Sequence, residues 1–322
     1  MNRSAAARLE RATDSRMLAD VRAGLARAQK ELSPKYFYDE RGSRLFEEIT
    51  RLPEYYPTRT ERALLREVAP TLVASLRPRT LVELGAGNAE KSRIILDAMR
   101  AAGVLEMYVP VDVSADFLAE TAARLRVEYP ELRVVPGVAD ITERVEVPRG
   151  LRTPVLYAFL GSTIGNLEDA VAVRLLRRIH GIMEPGDRFL LGFDLKKDAS
   201  LIEAAYNDSQ GLTAEFNKNM LHVLNAAIGA NFDPDAFAHR AFYDQGAERV
   251  EMHLVSRHDH VVTIPGIGSV RFRAGESVRT EISAKYDRRR VERLLALAGL
   301  MLDDWHTDAR GYFALATAAR AP

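Results

Sequence analysis

Two glycines, Gly85 and Gly87, follow the apolar run Thr80 to Leu84, and an acid, Asp112, lies near the end of a second run, Val109 to Val113. Glycines at that spacing allow a tight turn and a close backbone approach to a ligand, where any Cβ would collide. A carboxylate at the end of the neighbouring strand can accept both hydroxyls of a ribose. Together they predict a crevice for an adenosine-bearing molecule. A dinucleotide fingerprint would require a third glycine where Glu90 stands. Glu83 and Glu90 would also flank a pyrophosphate unfavourably, whereas a ligand carrying an ammonium and a sulfonium suits them. The loop therefore favours S-adenosylmethionine (SAM) over NAD.

Other residues offer chemistry with a plainer alternative beside it. In FLGSTIGN, residues 159–166, Gly161 and Gly165 leave room for a substrate, and Asn166 offers donors and acceptors suited to a zwitterion. Asn166 could equally be the N-cap of the helix that follows. The order G-S-x-x-G is not the hydrolase elbow G-x-S-x-G, which leaves Ser162 as a loop serine. Tyr55 and Tyr56 sit between Pro53 and Pro57 on a stiffened backbone that can present a phenol or simply pack it. Tyr36, Phe37 and Tyr38 lie just upstream. In VRTEISAKY, Glu281 and Ser283 fall on one face of a strand, with Ile282 and Ala284 on the other. That face is either solvated or a paired acceptor and hydroxyl for a planar ring with two nitrogens. His258 and His260 lack a third ligand at metal spacing and read as a polar hairpin tip; the other histidines are scattered.

The elements that must position these residues follow from periodicity. From about residue 58 to 195, helices alternate with short apolar runs, the sign of a doubly wound parallel sheet. Thr58 and Glu61 have capping-box spacing for a helix through Leu76. Ala89 to Arg100 is a helix, Ser114 caps another, and Leu132 to Val135 and Pro154 to Leu160 are further strands. A helix over 167–183 leads to a strand from Arg188 to Asp194. From about 195 to 286 the pattern changes to two helical stretches, near 198–206 and 213–228, followed by antiparallel-looking segments. Asp287 caps a last helix ended by Gly299, and segments near 301–307 and 311–317 return to the sheet as an edge hairpin.

Composition sets the outer limits. The chain has 322 residues, 47% of them apolar, which suffices for one large domain or two ordinary ones. Lysine plus arginine equals aspartate plus glutamate at 45 each, so no net field draws nucleic acid or an anionic membrane. Cysteine is absent, which excludes disulfides and thiolate chemistry and suits a reducing compartment. The N-terminal run MNRSAAARLERATDSRM alternates charge and lacks the apolar centre of a signal peptide. The expectation is a cytoplasmic monomer that works on small molecules.

The segments SPKYFYDERGSRLFEEITRLPEYYPTRTE, VELGAGNAEKSR, FLGSTIGN and TEISAKY occur in this order along nearly the whole chain from about residue 15. Together they resemble the SAM-dependent histidine Nα-methyltransferases of ergothioneine biosynthesis. The resemblance implies three successive methylations of the α-amine of L-histidine, giving hercynine, with S-adenosyl-L-homocysteine (SAH) as the other product. It implies an α/β fold, a Rossmann-like doubly wound sheet (58–195 and 287–322) with a smaller α+β substrate-binding domain (15–57 and 196–286). Gly85, Lys91, Asp112, Asp140 and Ile141 match SAM-binding positions, with Asp112 on the ribose and Asp140 near the adenine amine. Tyr55, Asn166 and Tyr206 match positions that hold the substrate's carboxylate and amine. Tyr38 and Phe46 match the pocket lining, Met252 a contact beside the ring, and Glu281 with Ser283 the pair that reads the imidazole. Tyr38, Asn166 and Tyr206 then surround the reacting amine. The competing readings are a methyltransferase for another amino acid or small amine, a nicotinamide dehydrogenase, and an idle protein that binds SAM without consuming it.

Overall fold

The computed structural model describes residues 15–113, 115–143, 145 and 147–321. The first fourteen residues of the charge-alternating run and the cap expected at Ser114 lie outside the described residues. The helices, in chain order, are α1 (15–25), α2 (Glu40–Ile49), α3 (Tyr56–Leu76), α4 (Glu90–Ala101), α5 (Ala115–Glu128), α6 (Asp169–Ile182), α7 (Ala199–Ala204), α8 (Leu212–Ile228) and α9 (Arg288–Leu297). The first strands are β1 (Lys30–Glu31), β2 (Thr80–Leu84), β3 (Met107–Asp112), β4 (Arg133–Val134), β5 (Gly137–Val138), β6 (Val155–Phe159) and β7 (Arg188–Asp194). They are followed by β8 (Phe237–Asp244), β9 (Arg249–Ser256), β10 (His260–Ile264), β11 (Gly268–Phe272), β12 (Ser277–Ala284), β13 (Leu300–Thr307) and β14 (Phe313–Arg320). Contacts divide the chain into two compact units, residues up to Tyr56 with Asp198–Ser283, and Pro57–Lys197 with Ala284–Pro322.

The larger unit is built on an eight-stranded sheet in the order β13-β14-β7-β6-β2-β3-β4, with β5 beside β3. Strands β7, β6, β2, β3 and β4 are parallel, whereas β14 runs antiparallel between β7 and β13. Both faces are covered, as a doubly wound sheet requires. Val82, Val109, Tyr157 and Phe159 pack with Val173, Leu176 and Ile179 of α6 and Val291 and Leu294 of α9. Leu81, Tyr108, Leu156 and Ala158 face the other way, onto Leu65 and Val68 of α3, Ile95 and Met99 of α4 and Leu125 of α5. Burial on both sides explains why these strands read as apolar runs without alternation. The strand expected at Leu132 to Val135 is shorter than that, and the chain pairs again with β3 as β5.

Among the described residues, the buried charged groups of this unit are partnered. Asp194, at the end of β7, lies 2.8 Å from the buried ammonium of Lys285 and 2.5 Å from that of Lys197. Burial alone would raise its carboxyl, but the two lysines outweigh that and hold it below the ordinary range. The two lysines thereby fix the segments that follow β7 and β12. Glu83 is the one acid within β2, and the hydroxyls of Tyr108 and Ser92 donate to it. Burial pushes its carboxyl up to about 7, against the pull of those two hydrogen bonds.

The smaller unit carries a four-stranded sheet in the order β1-β12-β9-β8 and a separate β10-β11 hairpin. Strands β8 and β9 are antiparallel, and β1 lies parallel to β12. Helix α8 fastens this unit through two buried asparagines. Asn217 accepts from the Thr280 hydroxyl of β12 and donates to the His253 carbonyl of β9. Asn219 donates to the Phe37 carbonyl and to the Asp39 carboxylate, which itself caps α2 by accepting the Gly42 N–H at 2.7 Å. A Cβ on Gly42 would stand 1.8 Å from the Phe37 carbonyl oxygen, so YFYDERG can make this turn only with glycine there. Among the described residues no helix is long and apolar enough to cross a membrane.

Glu83 gives this fold a pH signature. Its folded pKa of about 7 exceeds the ordinary 4.5, so its contribution to stability is fully present below pH 4.5 and is lost as pH rises through 7. Denaturant unfolding between about pH 5 and 8 should show the wild type losing roughly 3 kcal/mol relative to Glu83→Gln. Parallel stability curves for the two proteins would contradict a buried, shifted carboxyl.

Candidate active site

In the larger unit, β2 is flanked by β3 on one side and β6 on the other, so the strand order reverses beside it. Reversal opens a crevice at the carboxyl ends of the strands. Gly85, immediately after β2, has φ +67°, and Gly87 has φ +52°. The Gly85 N–H donates to the Val111 carbonyl at 2.8 Å, and the Gly87 N–H donates to the Asp112 carboxylate at 3.1 Å. The turn thus holds the strand-end acid in place. A Cβ built on Gly87 would meet no atom within 4 Å, so the left-handed backbone, rather than packing, demands glycine, and open space remains beside it. Strands β3 and β5 pair Asp112 with Val138, which carries Asp140 and Ile141 to the same edge. Asp140 accepts the Thr142 N–H at 3.0 Å, and Ile141 packs on the sheet core. The glycine turn, the strand-end acid and the Asp140–Ile141 turn could together hold an adenosine-bearing ligand such as SAM.

Two expectations need correction. Glu83 is buried beneath the loop with Ser92 and Tyr108, and Glu90 is paired with Arg62 at 2.6 Å. Glu83 therefore does not face a ligand, whereas Glu90 stays exposed at the start of α4, so the argument from flanking acids keeps only Glu90 beside the missing third glycine. Glu61 does not complete a capping box. Helix α3 begins before Thr58, at Tyr56, and the fully buried Glu61 carboxylate receives the Gly161 N–H at 2.7 and 2.9 Å and the Lys91 ammonium at 2.6 Å. Lys91 and Gly161 are therefore brought together, by a residue whose pattern suggested only helix initiation.

Asn166 closes a short 3-10 turn, Thr163–Asn166, and the residue preceding α6 is Glu168. It is thus not the helix cap, and its half-buried amide makes no hydrogen bond to another described residue. Ser162 has a structural part, its hydroxyl accepting the Asp194 N–H at 2.9 Å. A Cβ on Gly165 would lie 3.0 Å from the Ala284 carbonyl oxygen, so this glycine lets the segment after Ser283 pack against the turn.

In the smaller unit, Tyr38, Phe46 and Tyr55 form one aromatic group. The Tyr38–Phe46 and Phe46–Tyr55 ring centroids are 5.8 and 6.0 Å apart, both edge to face. Phe216 of α8, which no sequence motif singles out, completes the group at 5.5 Å from Tyr38 and 5.9 Å from Phe46. Glu54, beside Tyr55, accepts the Ser209 hydroxyl at 2.7 Å and ties this group to the loop after α7. Tyr206 and Ser283 are both buried, and the tyrosine donates to the serine hydroxyl at 2.8 Å.

The solvated-face alternative for β12 fails. Burial alternates from Ser277 to Thr280, then Glu281 and Ile282 are both half-buried and Ser283 and Ala284 both buried. Met252, also buried, lies on the neighbouring β9 and its carbonyl accepts the Thr280 hydroxyl at 3.1 Å. His239, assigned no chemistry from the sequence, turns out to hold Tyr206. Its Nε2 lies 2.9 Å from the Tyr206 carbonyl, an acceptor, so Nε2 carries the proton and Nδ1 accepts from Asn217. Burial lowers its pKa, in keeping with a neutral ring. No local pattern marks such a histidine, because both partners are distant in sequence. His258 and His260 lie at the start of the β10-β11 hairpin with rings 5.2 Å apart. Among the described residues no group of three or more potential ligands could hold a metal ion.

Comparison with known proteins supplies the wider context. A family described as histidine-specific, SAM-dependent methyltransferase matches residues 17–320. The histidine N-alpha-methyltransferase of Mycobacterium tuberculosis (strain CDC 1551 / Oshkosh) is 45% identical over 303 residues, 94% of each chain. Ergothioneine biosynthesis protein 1 of Schizosaccharomyces pombe is 30% identical over 79% of this chain, which spans 34% of that longer protein. Among solved structures, a SAM-dependent methyltransferase from Clostridium acetobutylicum superposes with a TM-score of 0.51 at 11% identity, covering 86% of this chain and 98% of that one, a likeness of fold. With a match across almost its entire length, this chain belongs to the SAM-dependent, histidine-specific methyltransferase family.

Proposed function

We propose that the protein transfers methyl groups from SAM to the α-amine of L-histidine, three in succession, giving hercynine on the route to ergothioneine. The sheet unit is the SAM-binding core, the smaller unit is the histidine-binding domain, and the chain works as a cytoplasmic monomer. The observation that carries this reading is the end of β12. There Glu281 stands two residues before a buried Ser283 hydroxyl that accepts from Tyr206. An imidazole presents one N–H and one lone pair. Glu281, a carboxylate acceptor, suits the first, and the Ser283 hydroxyl beside it suits the second.

SAM supplies an electrophilic methyl carbon on a sulfonium, whose S–C bond breaks as the N–C bond forms. The residues of the chain have to align the amine lone pair and keep water out. Gly85, Lys91, Asp112, Asp140 and Ile141 hold SAM, while Tyr55, Asn166 and Tyr206 hold the amine and carboxylate of histidine, with Gly161 giving room. An ammonium has no lone pair, so one proton must leave the nitrogen before each transfer. That proton leaves to water or to a weak acceptor near Asn166 and the tyrosines. As methyl groups accumulate, N–H donors disappear and the cation persists. The aromatic group of Tyr38, Phe46 and Tyr55 suits that product through cation–π attraction of about 0.5–2 kcal/mol.

Three measurements test the assignments. Glu281→Ala should lower kcat/KM for histidine by roughly 10- to 100-fold, the cost of losing a half-buried charged acceptor, and leave the SAM dissociation constant within about twofold. Equal loss of both would contradict the division of labour. Asp112→Ala should weaken SAM binding by about tenfold or more in calorimetry; an unchanged constant removes Asp112 from the ribose. A mass-spectrometric time course should show mono- and dimethylhistidine giving way to the trimethylated product, and accumulation of a monomethyl end product would refute the count of three.

A further inference from the structure

We propose that Glu61 is a positioning residue for the methyl donor, acting through Lys91; the inference rests on the SAM-binding reading above. Lys91 is the second residue of α4, at the helix end that favours anions, and an ammonium there matches the one anionic group of SAM, its carboxylate. A flexible lysine contributes little unless its ammonium is held. Glu61 holds it at 2.6 Å, from a site with no exposure to solvent. The same carboxylate takes the Gly161 N–H with both oxygens, so it also fixes the turn at the end of β6.

Two glycines make room for this arrangement. A Cβ on Gly192 of β7 would stand 2.3 Å from a Glu61 oxygen, and one on Gly161 would stand 2.9 Å from the Lys91 ammonium. A carboxylate buried at the point where strand order reverses, with glycines on both sides of the ion pair, is a costly arrangement for a merely structural contact. The Arg79–Glu106 pair of the same unit, by contrast, lies open to solvent. Glu61 therefore sets where the amino-acid end of SAM is received and leaves the adenosine end to Gly85 and Asp112.

The test compares two ligands by calorimetry. SAH carries the amino-acid end, and 5′-deoxy-5′-methylthioadenosine keeps the adenosine and sulfur without it. Glu61→Gln keeps the shape and an acceptor for Gly161 but removes the charge paired with Lys91. It should weaken SAH by tenfold or more and change methylthioadenosine by less than twofold. Lys91→Met should do the same, and the double variant should be no more than twofold worse than Lys91→Met alone. Unchanged SAH affinity in Glu61→Gln, equal loss of both ligands, or multiplying losses in the double variant would each overturn the proposal. Should Glu61→Gln not fold, unchanged SAH affinity in Lys91→Met overturns it, and a selective loss of SAH supports it. A wild type that binds SAH without methylating histidine defeats the proposed reaction and leaves this inference standing.

Discussion

A parallel sheet sends the carboxyl ends of its strands to one edge, and only where the strand order reverses does that edge open into a crevice. In the larger unit the reversal lies at β2, and every residue assigned to the methyl donor stands at or just beyond the strand ends around it. The remaining features keep that edge rigid. Backbone N–H groups of the glycine turn anchor it to Val111 and Asp112, Glu83 is secured beneath it, and Glu61 joins the β6 turn to the start of α4. Apolar burial on both faces makes the sheet stiff enough for these short polar contacts to be reproducible.

Under the proposed function, the smaller unit recognises a small polar molecule with groups that water would otherwise satisfy. Ser283 and Tyr206 are buried there together with the groups that hold them. Ser283 is fixed by Tyr206, Tyr206 by His239, and His239 by Asn217, which also joins β12 to β9. Such a chain of hydrogen bonds restricts the orientation of each member; a substrate bound as proposed would meet preformed donors and acceptors, and less binding energy would go into ordering them. The Asn219 and Asp39 contacts shape the turn that links Tyr38 to the helix carrying Phe46.

Some of this was legible in the residues and some was not. The order of elements, the doubly wound sheet and the turn at Gly85 follow from periodicity and glycine placement, which are local signals. The edge hairpin was likewise visible in its two runs, although nothing local says that β14 lies inside β13. Apart from the length of the strand at Leu132 to Val135, the misreadings concern charged side chains. Glu61 looked like a helix cap and Glu83 like a ligand-facing acid, because a sequence shows that a carboxylate exists and not where it points. Asn166 posed the same ambiguity until the start of α6 was seen to lie beyond it. Phe216 and His239 were missed for want of any pattern, since their partners are brought together only by the fold.

The central claim is that a SAM-binding sheet and an imidazole-reading strand serve one reaction on one amino acid. Pure protein incubated with SAM and an equimolar mixture of histidine, tryptophan, tyrosine and glycine tests it most directly, with products weighed by mass spectrometry. The account expects methyl groups on the α-nitrogen of histidine and on none of the others. Preferential methylation of another amino acid, or SAM bound and left unconsumed, would contradict it.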